Sequence, residues 1–377
     1  MIKTYSYKLY NSKSNKHLHR LINLSAEIYN HCIALHKRYY RLCGKHLNKA
    51  KLQLHITKLK KLGKYGHWNN LGSQAIQEIT DRIENAYTLF FRNLKRKIKT
   101  SPPSFKKSFK YKSFTLKQAG YKLLEDNKVM LCGCIYKFFK SREVAGTIKT
   151  VTVKRNGLND LYIYFVCEIP PIAEQIRART GKSVGFDFGL KTYLKASDGN
   201  DIESPLFFKD GQVIIKKLNR ELSRKQCGSN NRRKAKYALA KQHLKIANQR
   251  KDFQFKLVNK LCETYDLICL ENLNIKAMQK LWGRKISDLS HSTFVNLLKQ
   301  QAFKYHVIVV EIPRFFPSSK TCSVCGAVIA ELPLRIRSWL CPSCKTEHDR
   351  DFNAACNILR VGASTLGGDT VNPTFVG

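Results

Sequence analysis

Hydrophobic residues recur at helical spacing in two stretches of the N-terminal part of the chain. Within Leu21–Leu35, and again within Ile76–Leu94, apolar residues follow one another every three or four positions, which predicts two amphipathic helices. Ser73 is a candidate N-cap of the second helix. Pro102-Pro103 stops that helix, because proline has no backbone N–H. We therefore predict a small helical bundle over residues 11–104.

The period changes from helical to alternating between about residues 105 and 170. Segments rich in β-branched and aromatic residues are predicted to be strands: Val129–Leu131, Ile148–Val153 and Leu161–Ile169. Residues 156–160, Asn-Gly-Leu-Asn-Asp, are typical of a hairpin connection between the last two strands. The N-terminal residues also favour a strand. We predict that residues 1–10 and 105–172 form a small β-barrel into which the helical bundle is inserted.

A second domain begins after the polar run of residues 173–182, which we interpret as a linker. Its predicted strands are Val184–Leu190, Tyr193–Ser197, Tyr265–Leu270 and Val307–Ile312. The buried runs with a helical pattern between them predict parallel strands joined by crossover helices. The chain is thus predicted to be an α/β multidomain protein. In this half, the predicted boundaries are 183–314 and 346–361 for the α/β domain, 315–345 for an insertion, and 362–377 for a disordered tail.

The charge of the chain indicates a polyanionic partner. Its 377 residues include 68 Lys and Arg but 27 Asp and Glu, which gives a formal net charge of +41. Nucleic acid would neutralise this charge, with release of counterions from its phosphates. The alternatives are a basic protein that has no such partner and a protein that binds an acidic membrane surface. The excess is concentrated in residues 1–110, which contain 24 basic and four acidic residues.

The sequence does not favour a membrane or secreted protein. No apolar run approaches the ~20 residues that a membrane-spanning helix needs. The N-terminus resembles a strand and not a signal peptide. The 13 cysteines are therefore expected to be reduced, and most of them buried. We expect a reducing, cytoplasmic compartment and no membrane partner.

Four cysteines have the spacing of a zinc site. Cys322 and Cys325 form one Cys-x-x-Cys pair, Cys341 and Cys344 form another, and fifteen residues separate the pairs. The alternatives are disulfides, which a reducing compartment disfavours, and free thiols, which the matched spacing disfavours. Four thiolates leave no open coordination position, so the zinc ion is expected to be structural. For the nearby His348, a contact with a phosphate and a role without chemistry both remain open.

Three acidic residues lie on predicted strands or at the start of a predicted helix. Asp187 lies between two glycines, Glu271 ends a buried strand, and Asp351 precedes the helical stretch 353–359. The carboxyl ends of central strands are where open α/β sheets bind ligands. Taken singly, Asp187 could instead cap a turn, and Asp351 could be an ordinary helix N-cap.

The three acids are more informative together. They come from separate elements of one predicted domain, so the fold could bring them together. Adjacent carboxylates repel each other unless cations neutralise them. Two divalent ions roughly 4 Å apart would do so, and would activate a water molecule for attack on a phosphodiester. We therefore predict that Asp187, Glu271 and Asp351 bind two Mg²⁺ ions, with Mn²⁺ as the alternative metal.

Several motifs resemble those of the TnpB (OrfB) proteins of bacterial insertion sequences. They are Gly185-Phe-Asp-Phe-Gly189, Glu271-Asn-Leu273, Ser318-Ser-Lys-Thr-Cys-Ser-Val-Cys-Gly326 and His348-Asp-Arg-Asp-Phe-Asn-Ala-Ala355. Those proteins in turn look like ancestors of the type V CRISPR effectors. The resemblance implies an RNase H-like RuvC domain with an inserted zinc ribbon, an N-terminal wedge β-barrel and a helical recognition bundle. It also implies one catalytic acid from each of three motifs, at Asp187, Glu271 and Asp351, with Asp349 as the rival for the third position.

The resemblance further implies RNA-guided cleavage of double-stranded DNA. Guide RNA from the transposon end would pair with the target, and the protein would read a short adjacent motif. The expected protein is a monomer in its complex and is associated with the bacterial nucleoid. The alternatives are a transposase that transfers DNA strands without RNA, an RNA-guided protein that binds without cleaving, and a zinc-finger DNA-binding protein. The last is disfavoured because one small zinc knuckle does not account for so long a chain.

Candidate nucleic-acid contacts fall in two groups. Polar residues near the bundle and barrel could read the adjacent motif: Gln74, Gln77, Thr115 and Gln118. The run Lys216–Lys260 contains fifteen basic and two acidic residues, and Gly228–Asn231 predicts a turn between two helices within it. Such a run is usually a solvated helix face. Here we expect its basic residues to bind the phosphates of guide RNA or heteroduplex: Arg232, Arg233, Lys234, Arg250 and Lys251.

Overall fold

The protein is described by a computed structural model. It describes residues 2–170, 178–189, 192–205, 207–275, 278, 283, 289–333 and 335–366, with only the backbone of residue 208. The chain divides into two compact units, Met1–Glu174 and Gln175–Gly377. The predicted linker of residues 173–182 spans this division, and its residues 173–177 lie outside the described part.

The strands of the N-terminal unit form antiparallel sheets. One has the order β1-β7-β6-β2, built from Ile2–Lys8, Leu161–Glu168, Thr147–Arg155 and Ser113–Leu116. The other has the order β3-β4-β5, built from Tyr121–Leu124, Lys128–Leu131 and Cys134–Lys137. The predicted hairpin joins β6 and β7, where the Asn156 side chain accepts hydrogen bonds from the backbone N–H groups of Leu158 and Asp160. A bridge between Leu9 and Phe138 joins the two sheets, and closure into a barrel remains a prediction.

Helices fill the interval between β1 and β2. They are α1, Asn15–Cys43; α2, Lys49–Leu59; and α3, Ser73–Lys95, with 3₁₀ helices at Gly63–Leu71 and Ser108–Lys110. The two predicted amphipathic helices correspond to α1 and α3. The prediction that Ser73 is the N-cap is wrong: the cap position is Gly72, whose φ of 79° suits glycine, and Ser73 is the first helical residue. Apolar faces of α1 and α3 pack in one core with the sheets.

The C-terminal unit contains a five-stranded sheet of order β10-β9-β8-β11-β12. Its strands are β8, Ser183–Asp187; β9, Thr192–Ala196; β10, Ile202–Glu203; β11, Leu267–Glu271; and β12, Ile308–Ile312. Strands β8, β11 and β12 are parallel, as predicted, whereas β9 and β10 run antiparallel to their neighbours. The predicted strand at Val184–Leu190 is shorter than expected, because β8 ends at Asp187.

The described residues of this unit also form four helices. They are α4, Phe207–Ser223; α5, Asn230–Thr264; α6, His291–Tyr305; and α7, Arg350–Ser364. A turn separates α4 from α5 at Gly228, as predicted, but the predicted range Gly228–Asn231 is too long, because Asn230 and Asn231 already belong to α5. Helix α7 continues to Ser364, past the predicted start of the tail at residue 362, because Gly362 lies against the side chain of Cys269 on β11. Residues 367–377 lie outside the described part.

A short antiparallel ribbon precedes α7. Its strands are β13, Ser338–Leu340, and β14, Glu347–Asp349. Trp339 on β13 packs with Leu332 and two of the paired cysteines in a small separate core. Among the helices that the structure describes, none combines the length and the hydropathy that crossing a membrane requires.

Candidate catalytic and metal sites

Asp187 and Glu271 lie side by side at the carboxyl ends of two inner strands of the five-stranded sheet. Each is the last residue of its strand, β8 or β11. These strands are parallel neighbours in which Phe186 pairs with Leu270, so the two acids occupy the next position in register. Adjacent strands are about 4.8 Å apart. The carboxyl end of the sheet therefore holds two acidic side chains at neighbouring positions. The position of Glu271 at a strand end is as predicted, whereas Asp187 was predicted inside a longer strand.

Helix α7 brings Asp351 to the same place. A Cβ atom on Gly185 would lie 2.3 Å from the Ala355 carbonyl oxygen and 2.5 Å from the Leu359 backbone nitrogen. Only glycine lets the helix approach β8 so closely. Gly185 and Asp187 lie on the same face of β8. Asp351, in the first turn of α7, therefore lies near Asp187.

The electrostatics of Asp187 reflect this proximity. Burial, followed by the negative charges of Glu271 and Asp351, raises its pKa to about 7. Burial also raises the pKa of Glu271, and a hydrogen bond from the Ser318 hydroxyl, 3.5 Å from Oε1, opposes that rise. Bringing negative charges together in a partly dry site is costly, so this arrangement favours a bound cation.

The three carboxylates do not form a closed cluster. Among the described residues, the one group of three or more potential metal ligands whose atoms all lie within 4.8 Å of one another is the set of four cysteines. Asp351 is instead drawn toward Arg337, whose Nη1 lies 3.2 Å from Oδ2. The structure thus places the acids within electrostatic reach of one another, and the simultaneous sharing of a metal pair remains a proposal.

The structure separates the roles of Asp349 and Asp351. Asp349 is the N-cap of α7, because its Oδ1 accepts a hydrogen bond of 2.8 Å from the Phe352 backbone N–H. The alternative role of Asp351 was that of an ordinary helix N-cap. Asp351 does not occupy the cap position. Its charge is one of the two that raise the pKa of Asp187. Asp351 is the better candidate for the third acid.

We predict a pH-dependent stability that originates at Asp187. An unfolded aspartate ionises near pH ~4, whereas Asp187 has a pKa of about 7 in the folded protein. The folded state therefore binds this proton more tightly, and its contribution to stability is lost as the pH rises from ~4 through about 7.

Thermal unfolding between about pH 5.5 and 8.5, with zinc retained and Mg²⁺ omitted, measures this effect. The difference in Tm between Asp187→Asn and the parent should widen in favour of the variant as the pH rises. Adding Mg²⁺ should stabilise the parent most at high pH. Parallel Tm curves for the two proteins would contradict the assigned environment of Asp187.

The four cysteines form a site of the size that zinc requires. The Sγ atoms of Cys322 and Cys344 are 3.6 Å apart, as are those of Cys325 and Cys341. Tetrahedral zinc with Zn–S bonds of about 2.3 Å places its sulfurs about 3.8 Å apart. Hydrogen bonds with Thr346 lower the pKa of Cys344 to about 6, which favours the thiolate. The group fits one structural zinc ion, as predicted.

His348 supports this cysteine group from one side. Its Nε2 lies 3.0 Å from Cys322 Sγ, and its ring contacts Trp339 in a tilted arrangement at a centroid distance of 4.8 Å. The side chain is buried. A direct contact with a phosphate, one of the two roles left open for His348, is therefore disfavoured.

The residues predicted to read the adjacent motif are only partly exposed. The Gln118 backbone N–H lies 3.5 Å from Gln74 Oε1, so these two residues are neighbours, and Gln77 and Gln118 are exposed. For Thr115, the predicted contact with nucleic acid is disfavoured. This residue is buried on β2, and its hydroxyl contacts Arg82 Nη2 at 2.9 Å and Thr152 Oγ1 at 2.8 Å. Its polar group is used inside the unit.

Arg232 also has an internal role where a nucleic-acid contact was predicted. Its Nη1 donates hydrogen bonds of 2.9 Å to the carbonyl groups of Leu222 and Lys225, at the end of α4. A guanidinium there satisfies carbonyls that the helix leaves unpaired. Arg232 thus stabilises the turn between α4 and α5, which disfavours a phosphate contact by the same group.

The other basic residues of this run differ in exposure. Arg233 is exposed and hydrogen-bonds to Asn230, and Lys234 and Lys251 are exposed. Arg250 is half-buried and lines a small cavity beside Tyr193. A phosphate contact thus remains a prediction that suits Arg233, Lys234 and Lys251 better than Arg250.

Several residues at the acidic site had no role in the sequence-based prediction. Ser318 contacts Glu271, Arg337 pairs with Asp351, and Asn353 is buried two residues after Asp351. Ser318 and Asn353 fall inside the motifs that carry the family resemblance, which was a usable signal. Arg337 lies in an irregular segment before β13, where no pattern distinguishes it from other surface arginines.

Comparisons with known protein families agree with this layout. Residues 164–281 match the OrfB_IS605 family, described as "Probable transposase". Residues 291–358 match the family described as "Cas12f1-like, TNB domain". The two matched regions contain all three acids and all four cysteines of the candidate sites.

Relatives are found in bacteria and in a giant virus. A Streptomyces pristinaespiralis protein named "Putative RNA-guided DNA endonuclease" is 35% identical over 59% of this chain and 56% of its own length. The "TnpB-like protein L79" of Acanthamoeba polyphaga mimivirus is 30% identical over 62% of this chain and 48% of its own length. The chain thus spans about half the length of these relatives. Escherichia coli InsQ, named "Putative RNA-guided DNA endonuclease", is 26% identical over 90% of this chain and 87% of its own length.

Solved structures show a similar mixed α/β fold. The protein in the Cas12f1–sgRNA–target DNA complex aligns with a TM-score of 0.59 at 14% identity, over 95% of this chain and 98% of its own. The mini-RNA-guided endonuclease CRISPR-Cas_phi3 aligns with a TM-score of 0.51 at 11% identity, over 96% and 92%. At such identity these matches concern the fold alone. The family models and the sequence relatives confirm the resemblance of this chain to the TnpB (OrfB) proteins.

Proposed function

We propose that this chain is an RNA-guided, Mg²⁺-dependent endonuclease that cleaves double-stranded DNA. The observation that carries the proposal is the convergence of Asp187, Glu271 and Asp351 at the carboxyl end of one sheet, where two of these charges raise the pKa of the third. The names of the relatives support a nuclease with an RNA guide. A net charge of +41 supports polyanionic partners.

The acidic residues would hold the divalent ions. Bound Mg²⁺, or Mn²⁺, would supply a water molecule of lowered pKa and stabilise the charge that develops on the phosphodiester. Asp187 would hold its carboxylate at the end of β8, and Ser318 would orient the Glu271 carboxylate. Arg337 would compensate part of the charge of Asp351. The four cysteines would hold one structural zinc ion close to this edge.

The proposed domain organisation follows from the family resemblance. Residues 183–314 and 346–361 would be an RNase H-like RuvC domain, and residues 315–345 a zinc ribbon. Residues 1–10 and 105–172 would form the wedge, and residues 11–104 the recognition bundle. We propose a monomer that binds a guide RNA from the transposon end and a DNA target beside a short motif. A cytoplasmic location at the nucleoid would follow from these partners.

A transposase that acts on DNA ends without RNA is the second candidate, because the OrfB_IS605 family is described as "Probable transposase". The two functions differ in the nucleic acid that they retain. The chain should be expressed with its neighbouring DNA and purified, and the bound nucleic acid digested separately with RNase and DNase. We expect bound RNA that RNase destroys and whose sequence runs into the transposon end. Protein that retains only DNA would support the transposase.

Sequencing that RNA also supplies the guide segment. A plasmid library that carries the matching target beside randomised positions then reveals the adjacent motif from the molecules that are cut. Cleavage that requires both the RNA and Mg²⁺ would support the proposal. Cleavage that is independent of the RNA would contradict the guided mechanism but leave a nuclease.

A further inference from the structure

One short segment of the proposed zinc ribbon contacts the acidic site and the zinc site at once. We call Ser318–Ser323 the strap. It contains Cys322, one of the four clustered cysteines. It also contains Ser318, whose Oγ lies 3.5 Å from Glu271 Oε1. The strap is therefore joined to the zinc site at one end and to an acid of the candidate catalytic site at the other.

Two buried asparagines attach the strap to α7, the helix that carries Asp351. Asn353 Nδ2 donates a 2.8 Å hydrogen bond to the Thr321 carbonyl, and its Oδ1 accepts one of 2.9 Å from the Ser323 backbone N–H. Asn357 Nδ2 donates to the carbonyls of Ser318 and Thr321, at 2.9 and 2.6 Å. Both asparagine side chains are fully buried.

These contacts explain why two amides are buried on α7. Irregular backbone inside a protein must find hydrogen-bond partners. Residues 327–329 supply some of them, since the Cys322 N–H donates to the Ala327 carbonyl and the Lys320 carbonyl accepts from the Ile329 N–H. The Ser318 and Thr321 carbonyls accept instead from the asparagine amides. An asparagine amide can donate two hydrogen bonds and accept others, so it can take the place of a strand edge. Leucine at position 357 would have a similar branched shape but no donor. The Thr321 carbonyl would keep its bond from Asn353, whereas the Ser318 carbonyl would keep only a 3.5 Å contact with Asn353 Nδ2.

We infer that Asn353 and Asn357 are positioning residues that couple zinc occupancy to the geometry of the acidic site. The inference rests on the proposed function. Zinc fixes Cys322 and hence the strap, and the strap sets Glu271 through Ser318 and the first turns of α7 through the two amides. Loosening the amides should disturb the spacing of Glu271 and Asp351 while leaving the four cysteines able to bind zinc.

The test measures Mn²⁺ binding by the full-length, zinc-loaded chain without nucleic acid, by electron paramagnetic resonance. Asp187→Asn first identifies the ion at the acidic site, because its signal should disappear in that variant. In Asn357→Leu we expect the Kd for this Mn²⁺ to rise by about tenfold, as for loss of groups that orient metal ligands. Zinc content should stay at one ion per chain. Asn357→Ser provides a smaller change if the leucine variant does not fold.

Ile358→Ala is the matched control. Ile358 lies next to Asn357 on α7 but packs on Leu267, Cys269 and Ile312 of the sheet. This variant should lower Tm at least as much, and leave the Kd for Mn²⁺ within about twofold. An equal loss of affinity in both variants would show that α7 stability alone matters, and would overturn the inference.

Zinc removal, combined with the Asn357→Leu variant, completes a double-perturbation test of the coupling. In the parent, dialysis against a chelator that is then removed should weaken Mn²⁺ binding about tenfold. In Asn357→Leu the same treatment should add less than about a twofold change, because the connection is already broken. Independent, additive losses would overturn the coupling. Persistence of the Mn²⁺ signal in Asp187→Asn would instead count against the proposed catalytic site, which separates that failure from failure of the inference.

Discussion

Replacing Asp351 by asparagine should reduce DNA cleavage on the order of 10³-fold, whereas the same change at Asp349 should alter it by less than about threefold. Both residues are aspartates, and they lie two positions apart in the chain. Asp349 caps α7 through Phe352, and asparagine is an equally good N-cap. Asp351 lies in the first turn, and its charge acts on Asp187. A neutral amide at 351 would remove a ligand for the divalent ions.

The expected 10³-fold loss in rate follows from the contribution of a bound divalent ion to catalysis. A bound divalent ion contributes several kcal/mol to transition-state stabilisation, and a loss of about 4 kcal/mol is about 10³-fold in rate. Single-turnover cleavage of a guided plasmid target measures the rate, and gel-shift assays measure RNA and DNA binding, which should change little. Asp187→Asn and Glu271→Gln should behave like Asp351→Asn. Equal activity of the two aspartate variants would remove Asp351 from the proposed site.

Replacing Cys341 by serine should abolish zinc binding and unfold the segment around the cysteines. Cys341 is fully buried, and its Sγ is 3.6 Å from that of Cys325. Small zinc sites derive apparent free energies of about 10–16 kcal/mol from the ion, more than the small core around Trp339 and Leu332 can replace. Because Cys322 belongs to the strap that contacts Glu271, we expect cleavage to fall at least ~100-fold as well.

Cys227→Ser is the matched control, since Cys227 is an exposed thiol outside the zinc site. Elemental analysis should find one zinc per chain in the parent and in this control, and none in Cys341→Ser. Limited proteolysis should cut Cys341→Ser within residues 315–349 and spare the control. Full zinc content in Cys341→Ser would show that the four cysteines do not form the site.

The helices and strands were largely predictable because their hydrophobic periods are strong. Helices α1 and α3 and strands β6 and β7 appear where the apolar pattern placed them. The short strands β2, β3 and β5 were not predicted, since four residues are too few to establish a period. The N-cap of α3 was misplaced by one residue because a glycine with positive φ starts this helix without a side-chain cap.

Some residues of the candidate sites were predictable from the sequence, and others were not. The spacing of the four cysteines and the acid at the end of β11 could be read along the chain, because zinc ligand spacing and the end of a buried apolar run are local properties. The end of β8 at Asp187 could not, since the alternating pattern continues to Leu190. The internal roles of Thr115 and Arg232 could not. The residue type does not tell whether a polar side chain faces solvent or a neighbouring polar group of the protein. Only the packing of the folded chain decides between these two environments.

The linear order of residues alone established the family resemblance, and it predicted the zinc ligands and the three acids. Folding decided which of two nearby aspartates caps α7 and which faces Asp187, because that depends on how the helix begins and on the close approach that Gly185 permits. It also decided that Asn353 and Asn357 bind the strap. These contacts join backbone atoms more than thirty residues away in the chain, and no sequence pattern at that separation specifies which carbonyl a buried amide will meet.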